Sequence, residues 1–180
     1  MYIRGGENVK LKWFSIGMIM LAASGCLSVS GDVPEACIHW SQVTIPGAPI
    51  SAGEVSKSFV QEDFGYDVPE EADAEVYFVE ATLSMQQGSF SFVDEINLTI
   101  QSLDANANVS PLRLVDYIKD AQTAEAQALN FPGTGEDNLI SYVETNSIEF
   151  VLDIKGDVPT QDWQVDLDTC LSASGGYRVF

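Results

Sequence analysis

Basic residues are scarce in this chain of 180 residues. Eight Lys and Arg stand against 27 Asp and Glu, for a net charge of −19. Such a surface is repelled by phosphate backbones, which argues against any nucleic-acid partner. Histidine is scarcer still: His39 is the only one. Zinc and iron sites would lack their usual imidazole ligands, and a Ser-His-Asp triad would have to use this one residue. In Cys37-Ile38-His39-Trp40 it falls opposite Ile38 and Trp40, so it reads as a surface or edge-strand histidine. No G-x-S-x-G elbow, H-E-x-x-H pair, C-x-x-C pair or phosphate-cradling Gly loop is present. Long apolar runs are missing too. The run Trp13 to Ala23 (WFSIGMIMLAA) is too short for a stable span, because eleven helical residues reach about 16 Å against roughly 30 Å of hydrocarbon.

That short run has a meaning of its own. Arg4, Lys10 and Lys12 precede it and small residues close it, the order expected of an exported chain's signal peptide over residues 1–25. The closing residues Ala23-Ser24-Gly25-Cys26 resemble the bacterial lipobox, in which the Cys thiol receives a diacylglycerol and becomes the mature N-terminus. The resemblance covers these four residues and the apolar run before them. Ala23 stands where Leu is usual, with Leu21 two positions earlier, and ordinary signal cleavage nearby is the alternative. The resemblance implies a lipoprotein of the bacterial cell envelope, anchored through Cys26 in the outer membrane or at the cell surface. Each buried methylene of the acyl chains would contribute about 0.8 kcal/mol to the anchor.

Beyond the signal about 155 residues remain, enough for one domain with a substantial core. Setting aside Arg4, Glu7, Lys10 and Lys12 leaves 5 basic and 26 acidic residues, a net charge of −21. Anionic lipid headgroups repel such a domain, so a lipid would be its hold on a membrane. With Cys26 acylated, Cys37 and Cys170 are an even pair in an oxidising compartment, and a disulfide between them is expected; two free buried thiols are the alternative. Residues 27–36 (LSVSGDVPEA), small, polar and Pro-containing, read with Cys26 as a tether of at most about 35 Å. The domain proper is then 37–180.

From Cys37 onward the apolar pattern is mostly of period two, the mark of half-buried strands. Strands are expected over Ile38–Ile45, Val55–Phe64, Tyr77–Met85, Phe90–Gln101, Leu112–Ile118, Ile148–Lys155, Trp163–Asp168 and Tyr177–Phe180. Gln86-Gln87-Gly88 reads as a hairpin turn between the third and fourth. In the third, Tyr77, Val79, Ala81, Leu83 and Met85 share a face. Residues 120–135 support at most a short exposed helix, and Asp137 or Asn138 can cap another carrying Leu139, Ile140 and Val143 on one face. Cys170 is out of phase with Trp163, Val165 and Leu167, so a core disulfide would need a bulge near Thr169. The sum is an all-β protein: an antiparallel sandwich, immunoglobulin-like in arrangement, with one or two short helical segments. An outer-membrane barrel fits less well, because the polar faces are rich in charge.

The functional expectation is a cell-envelope lipoprotein with a structural or partner-binding domain, acting on an envelope or extracellular partner without catalysis. The first alternative is a calcium-dependent surface adhesion or binding module. Hard cations take oxygen ligands, and two groups supply them: Asp104, Asn106 and Asn108, in a D-x-N-x-N stretch that then lacks the glycine and glutamate of an EF-hand loop, and Asp63, Asp67, Glu70, Glu71 and Asp73. The bland reading of the first is a loop of Asx turns, and of the second a solvated acidic loop. A small hydrolase is the second alternative, since carboxylates are abundant, but no pair of them is marked out.

Overall fold

A computed structural model describes residues 27–49, 52–62, 72–120, 125–145 and 147–179. Eight strands carry nearly all of it: β1 (Leu27–Ile45), β2 (Glu54–Glu62), β3 (Ala72–Ser84), β4 (Val93–Ser102), β5 (Leu112–Ile118), β6 (Ala128–Pro132), β7 (Ser147–Gly156) and β8 (Trp163–Val179). One short helix, α1 (Ile140–Val143), precedes β7. Two four-stranded sheets form, in the orders β1-β8-β3-β6 and β2-β7-β4-β5. All pairings are antiparallel.

The alternation explains the sandwich. In β7, Ile148, Phe150, Leu152 and Ile154 are buried while Glu149, Asp153 and Lys155 face away. Ile96, Leu98 and Ile100 of β4 lie beside them, and Ala81, Leu83, Val165 and Leu167 meet them from the other sheet. Four aromatic contacts clasp the layers. Trp40 of β1 packs edge-on against both Phe59 of β2 and Phe150 of β7, each at 5.6 Å between ring centroids. On the opposite side Tyr117 of β5 meets Phe131 of β6 at 5.5 Å. At one end Phe92 meets Trp163 at 5.1 Å. Such contacts add to plain area burial because the positive edge of one ring meets the negative face of the other.

The antiparallel sandwich agrees with the sequence; its connectivity does not follow the immunoglobulin-like arrangement. There the first and last strands lie in different sheets. Here β1 and β8 are neighbours in one sheet, and every connection except β4 to β5 crosses between sheets. This strand order is the eight-stranded jelly roll of two Greek keys. Alternation reports which side chains face inward and carries no information on which sheet a strand joins.

The same limit governs the expected hairpin. β3 and β4 do not pair, because Phe90–Phe92 forms a single 3₁₀ turn that carries the chain across the sandwich. Phe90 is buried beneath it, and the crossing is pinned by Met85 N–H to Gln127 C=O and Phe90 N–H to Ala126 C=O, each 2.9 Å. Residues 128–132 form the edge strand β6 rather than a helix. Pro132, its last residue, lacks an N–H and is tolerated at that position. The expected helix of Leu139, Ile140 and Val143 is α1, and Asn138 Oδ1 accepts from the backbone N–H of both Ile140 (3.1 Å) and Val76 (3.0 Å).

Two further differences involve the long first sheet. Residues 27–36, read as a tether, form the first half of β1 and pair with the end of β8, from Leu27↔Val179 to Ala36↔Leu171. Pro34 sits where that register shifts, so its missing N–H breaks no regular ladder bond. In β3 the register shifts between Phe78 and Glu80, so the inward set is Val76, Phe78, Ala81 and Leu83, not an unbroken run from Tyr77. Glycine is required where β7 leaves its sheet: Gly156 has φ 142°, and a Cβ there would lie 2.1 Å from Phe92 C=O.

Candidate functional site

The outer face of the first sheet brings together Cys37, Cys170 and His39, three of the residues that the sequence singles out. Cys37 and Cys170 are direct partners across β1 and β8 and form a disulfide. The bond lies on the outer face of the sheet, where Cys37 is exposed and Cys170 is covered to 6% exposure. β8 keeps its alternation through Thr169 and Leu171, both buried, and the bulges fall in β1 and β3 instead. One of them, between Trp40 and Val43, contains Gln42 at φ 53°, whose N–H donates to Asp166 Oδ1 at 2.6 Å. Two residues along from the disulfide, His39 on the edge strand bonds through Nδ1 to Asp168. Both partners are substantially exposed. His39 is therefore the edge-strand surface histidine its alternation predicts. Neither sulfur can serve it as a nucleophile, since each is bonded to the other.

Glu35 approaches the same sulfurs, and Glu35, Cys37 and Cys170 lie close enough together to resemble a metal-binding cluster. A disulfide offers no thiolate to a metal, so the group is one carboxylate beside a covalent staple. In the Asp104 group, Asp104 and Asn106 bond within their own loop. Asp104 Oδ1 accepts from the Asn106 backbone N–H at 2.8 Å and from its carboxamide at 3.1 Å, and Asp104 N–H donates to Ser102 Oγ at 3.1 Å. This is the Asx-turn geometry of an ordinary loop. Of the second acidic group, Asp63, Asp67, Glu70 and Glu71 lie outside the described residues, and Asp73 falls within β3, opposite Gly176. Cys26 also lies outside them.

Two concavities were not legible in the sequence. A groove of about 450 Å³ runs between the free edges of β5 and β6, lined among others by Arg113, Leu114, Tyr117, Asn130 and Phe131. A cavity of about 380 Å³ opens at the end of the sandwich where β1 and β3 stop and β8 begins. Met85, Gln86 and Gln87 come from the β3–β4 crossing, and Asp162, Trp163 and Gln164 from the start of β8. Gln86 and Gln87 read in the sequence only as turn residues, and Trp163 only as the apolar phase of a strand. No local signal joins them.

The loop beside this cavity is tied to Asp162 and Pro159 by hydrogen bonds from its backbone N–H groups. Gly47 N–H donates to Asp162 Oδ1 at 3.0 Å, and Ala48 N–H to Pro159 C=O at 3.0 Å. A Cβ on Gly47 would lie 2.3 Å from Thr160 C=O, so the two loops meet backbone to backbone. Trp163 is about nine-tenths buried and its indole N–H has no acceptor among the described residues. A buried donor left unpaired costs about 1–3 kcal/mol, and among the described residues Asn97 Oδ1 and Thr169 Oγ1 share this state with it.

No protein-family model and no curated protein matches the chain. Among solved structures it is similar to the Desmodium yellow mottle tymovirus structure, with a TM-score of 0.34 and 8% identity, over 96% of this chain and 98% of that chain. It is similar also to the tomato aspermy virus structure, with a TM-score of 0.26 and 12% identity, over 86% of this chain and 81% of that chain. Likenesses at this level carry no functional conclusion.

Proposed function

We propose that the chain is a bacterial cell-envelope lipoprotein whose jelly-roll domain is held by lipid on Cys26 and serves a structural or partner-binding role without catalysis. The observation that carries this reading is the pairing of Cys37 with Cys170 in a chain that opens with a basic, apolar and lipobox-like segment. Disulfides persist in oxidising compartments, and with Cys26 acylated no thiol is left over. The acidity adds a physical reason for a lipid, since a domain so negative is repelled by anionic headgroups. Because β1 starts at Leu27, the domain would stand directly on its anchor without a flexible spacer.

Cell fractionation tests the reading. The wild-type chain is expected in the outer-membrane fraction, labelled by a radioactive fatty acid, and Cys26→Ala is expected to be unlabelled and released. A Cys26→Ala chain that stays membrane-bound overturns the anchor.

A further inference from the structure

The cavity at the start of β8 has a lining whose chemistry selects among ligand classes. Its polar groups are the carboxamides of Gln86, Gln87 and Gln164 and the carboxylate of Asp162, and its apolar surfaces are Met85 and Trp163. Anions are disfavoured by Asp162 and by a chain of net charge −19. Cations find a single carboxylate, one of whose oxygens already accepts from Gly47 N–H, too few ligands for a hard ion. Acyl chains would strand three carboxamides away from water. What remains is a neutral ligand dense in donors and acceptors. Carboxamides both donate and accept in a plane, which suits neighbouring hydroxyl groups. An indole offers an apolar body to ring C–H groups, and Trp163 presents the small exposed part of its ring to the cavity.

We propose that this cavity is a binding site for a neutral polyhydroxylated ligand, the terminal sugar of a glycan. Trp163 and Met85 form its apolar wall, and Gln86, Gln87, Gln164 and Asp162 address the hydroxyls. The volume of about 380 Å³ lies in the range of small-ligand sites and accommodates one or two sugar rings. The site is also presented outward, a point that rests on the lipid-anchor reading above. β8 runs from Trp163 at the cavity to Val179, which pairs with Leu27 at the start of β1. Seventeen strand residues span roughly 55 Å, so a chain anchored at Cys26 holds the cavity at its far end.

The test is calorimetric titration of the full chain, solubilised in a zwitterionic detergent without a sugar headgroup. The probes are glucose, galactose, N-acetylglucosamine, cellobiose and chitobiose, with inorganic phosphate as the charged control. Saturable heat with at least one sugar and none with phosphate is expected. The double variant Gln86→Ala with Gln87→Ala, and separately Gln164→Ala, should each weaken that sugar roughly tenfold or more, as loss of hydrogen bonds does. The glutamines are exposed, so their variants keep the wild-type melting temperature. No saturable heat with any sugar, tighter binding of phosphate, or unchanged affinity in the glutamine variants overturns the proposal. These outcomes are read on purified chain in detergent, so they stand apart from the fate of Cys26→Ala in cells.

Discussion

Cys37 and Cys170 face each other directly across β1 and β8, on the outer surface of the sheet and 133 residues apart in sequence. The bond staples the first strand to the last, and the connection between them contains every other element of the fold. Cys37 is exposed while Cys170 is only 6% exposed, so loss of the bond trims one covered sulfur and acts chiefly on the unfolded chain.

That placement sets the first prediction. Replacing both cysteines by Ala should cost about 4–5 kcal/mol in the chain-entropy model for so long a loop, with the fold retained. Guanidinium unfolding with and without reductant measures the loss. Non-reducing mass spectrometry should find the two cysteines linked, and two free thiols would refute the bond.

The aromatic clasps set the second. Trp40 is the ring that ties β1 to Phe59 and Phe150 of the opposite sheet, so Trp40→Ala should destabilise by about 3 kcal/mol. Ile118, 72% exposed at the end of β5, is as apolar by type but buries little. Ile118→Ser should stay within about 0.5 kcal/mol. Urea unfolding compares them, and equal effects would sink the clasp.

Alkaline pH sets the third. Lys155 Nζ donates to Glu95 Oε2 at 3.0 Å, and this bond, reinforced by the carboxylate's charge, holds the ammonium above its ordinary pKa. Tyr142 donates to Ser110 C=O at 2.5 Å; burial, then the charge of Asp137, raises its phenol as well. Both folded-state values lie above the unfolded ones, so the stability they contribute is complete below about pH 10 and is lost as pH rises through that range. The melting temperature should therefore fall above about pH 10, and Lys155→Met with Tyr142→Phe should flatten that fall. An unchanged alkaline limb in the double variant would show that other groups control it.

Much of the architecture was legible because it rests on short-range periodicity. β5 lies where the alternation of Leu112–Ile118 places it, and β7 buries Ile148, Phe150, Leu152 and Ile154 as a period of two requires. The face of His39 followed from its neighbours Ile38 and Trp40 in the same way. Bulges defeat this reasoning. The shift after Phe78 changes the inward phase of β3, and no residue type near Val79 announces it. The strand over residues 27–36 was hidden for another reason. Gly31, Asp32 and Pro34 read as tether, and only pairing with the distant end of β8 makes them extend.

The sequence by itself determined an acidic, β-rich chain with a basic and apolar leading segment, three cysteines and inward-facing alternate residues, since these depend on composition and on neighbours one or two positions apart. The tertiary structure alone decided that the strands cross between sheets as a jelly roll, that the disulfide lies on the outer face, and that Gln86, Gln87 and Trp163 share one cavity. Sheet order and cavities arise from contacts between residues far apart in the chain, and the strand period of two carries no record of which distant strand becomes a neighbour.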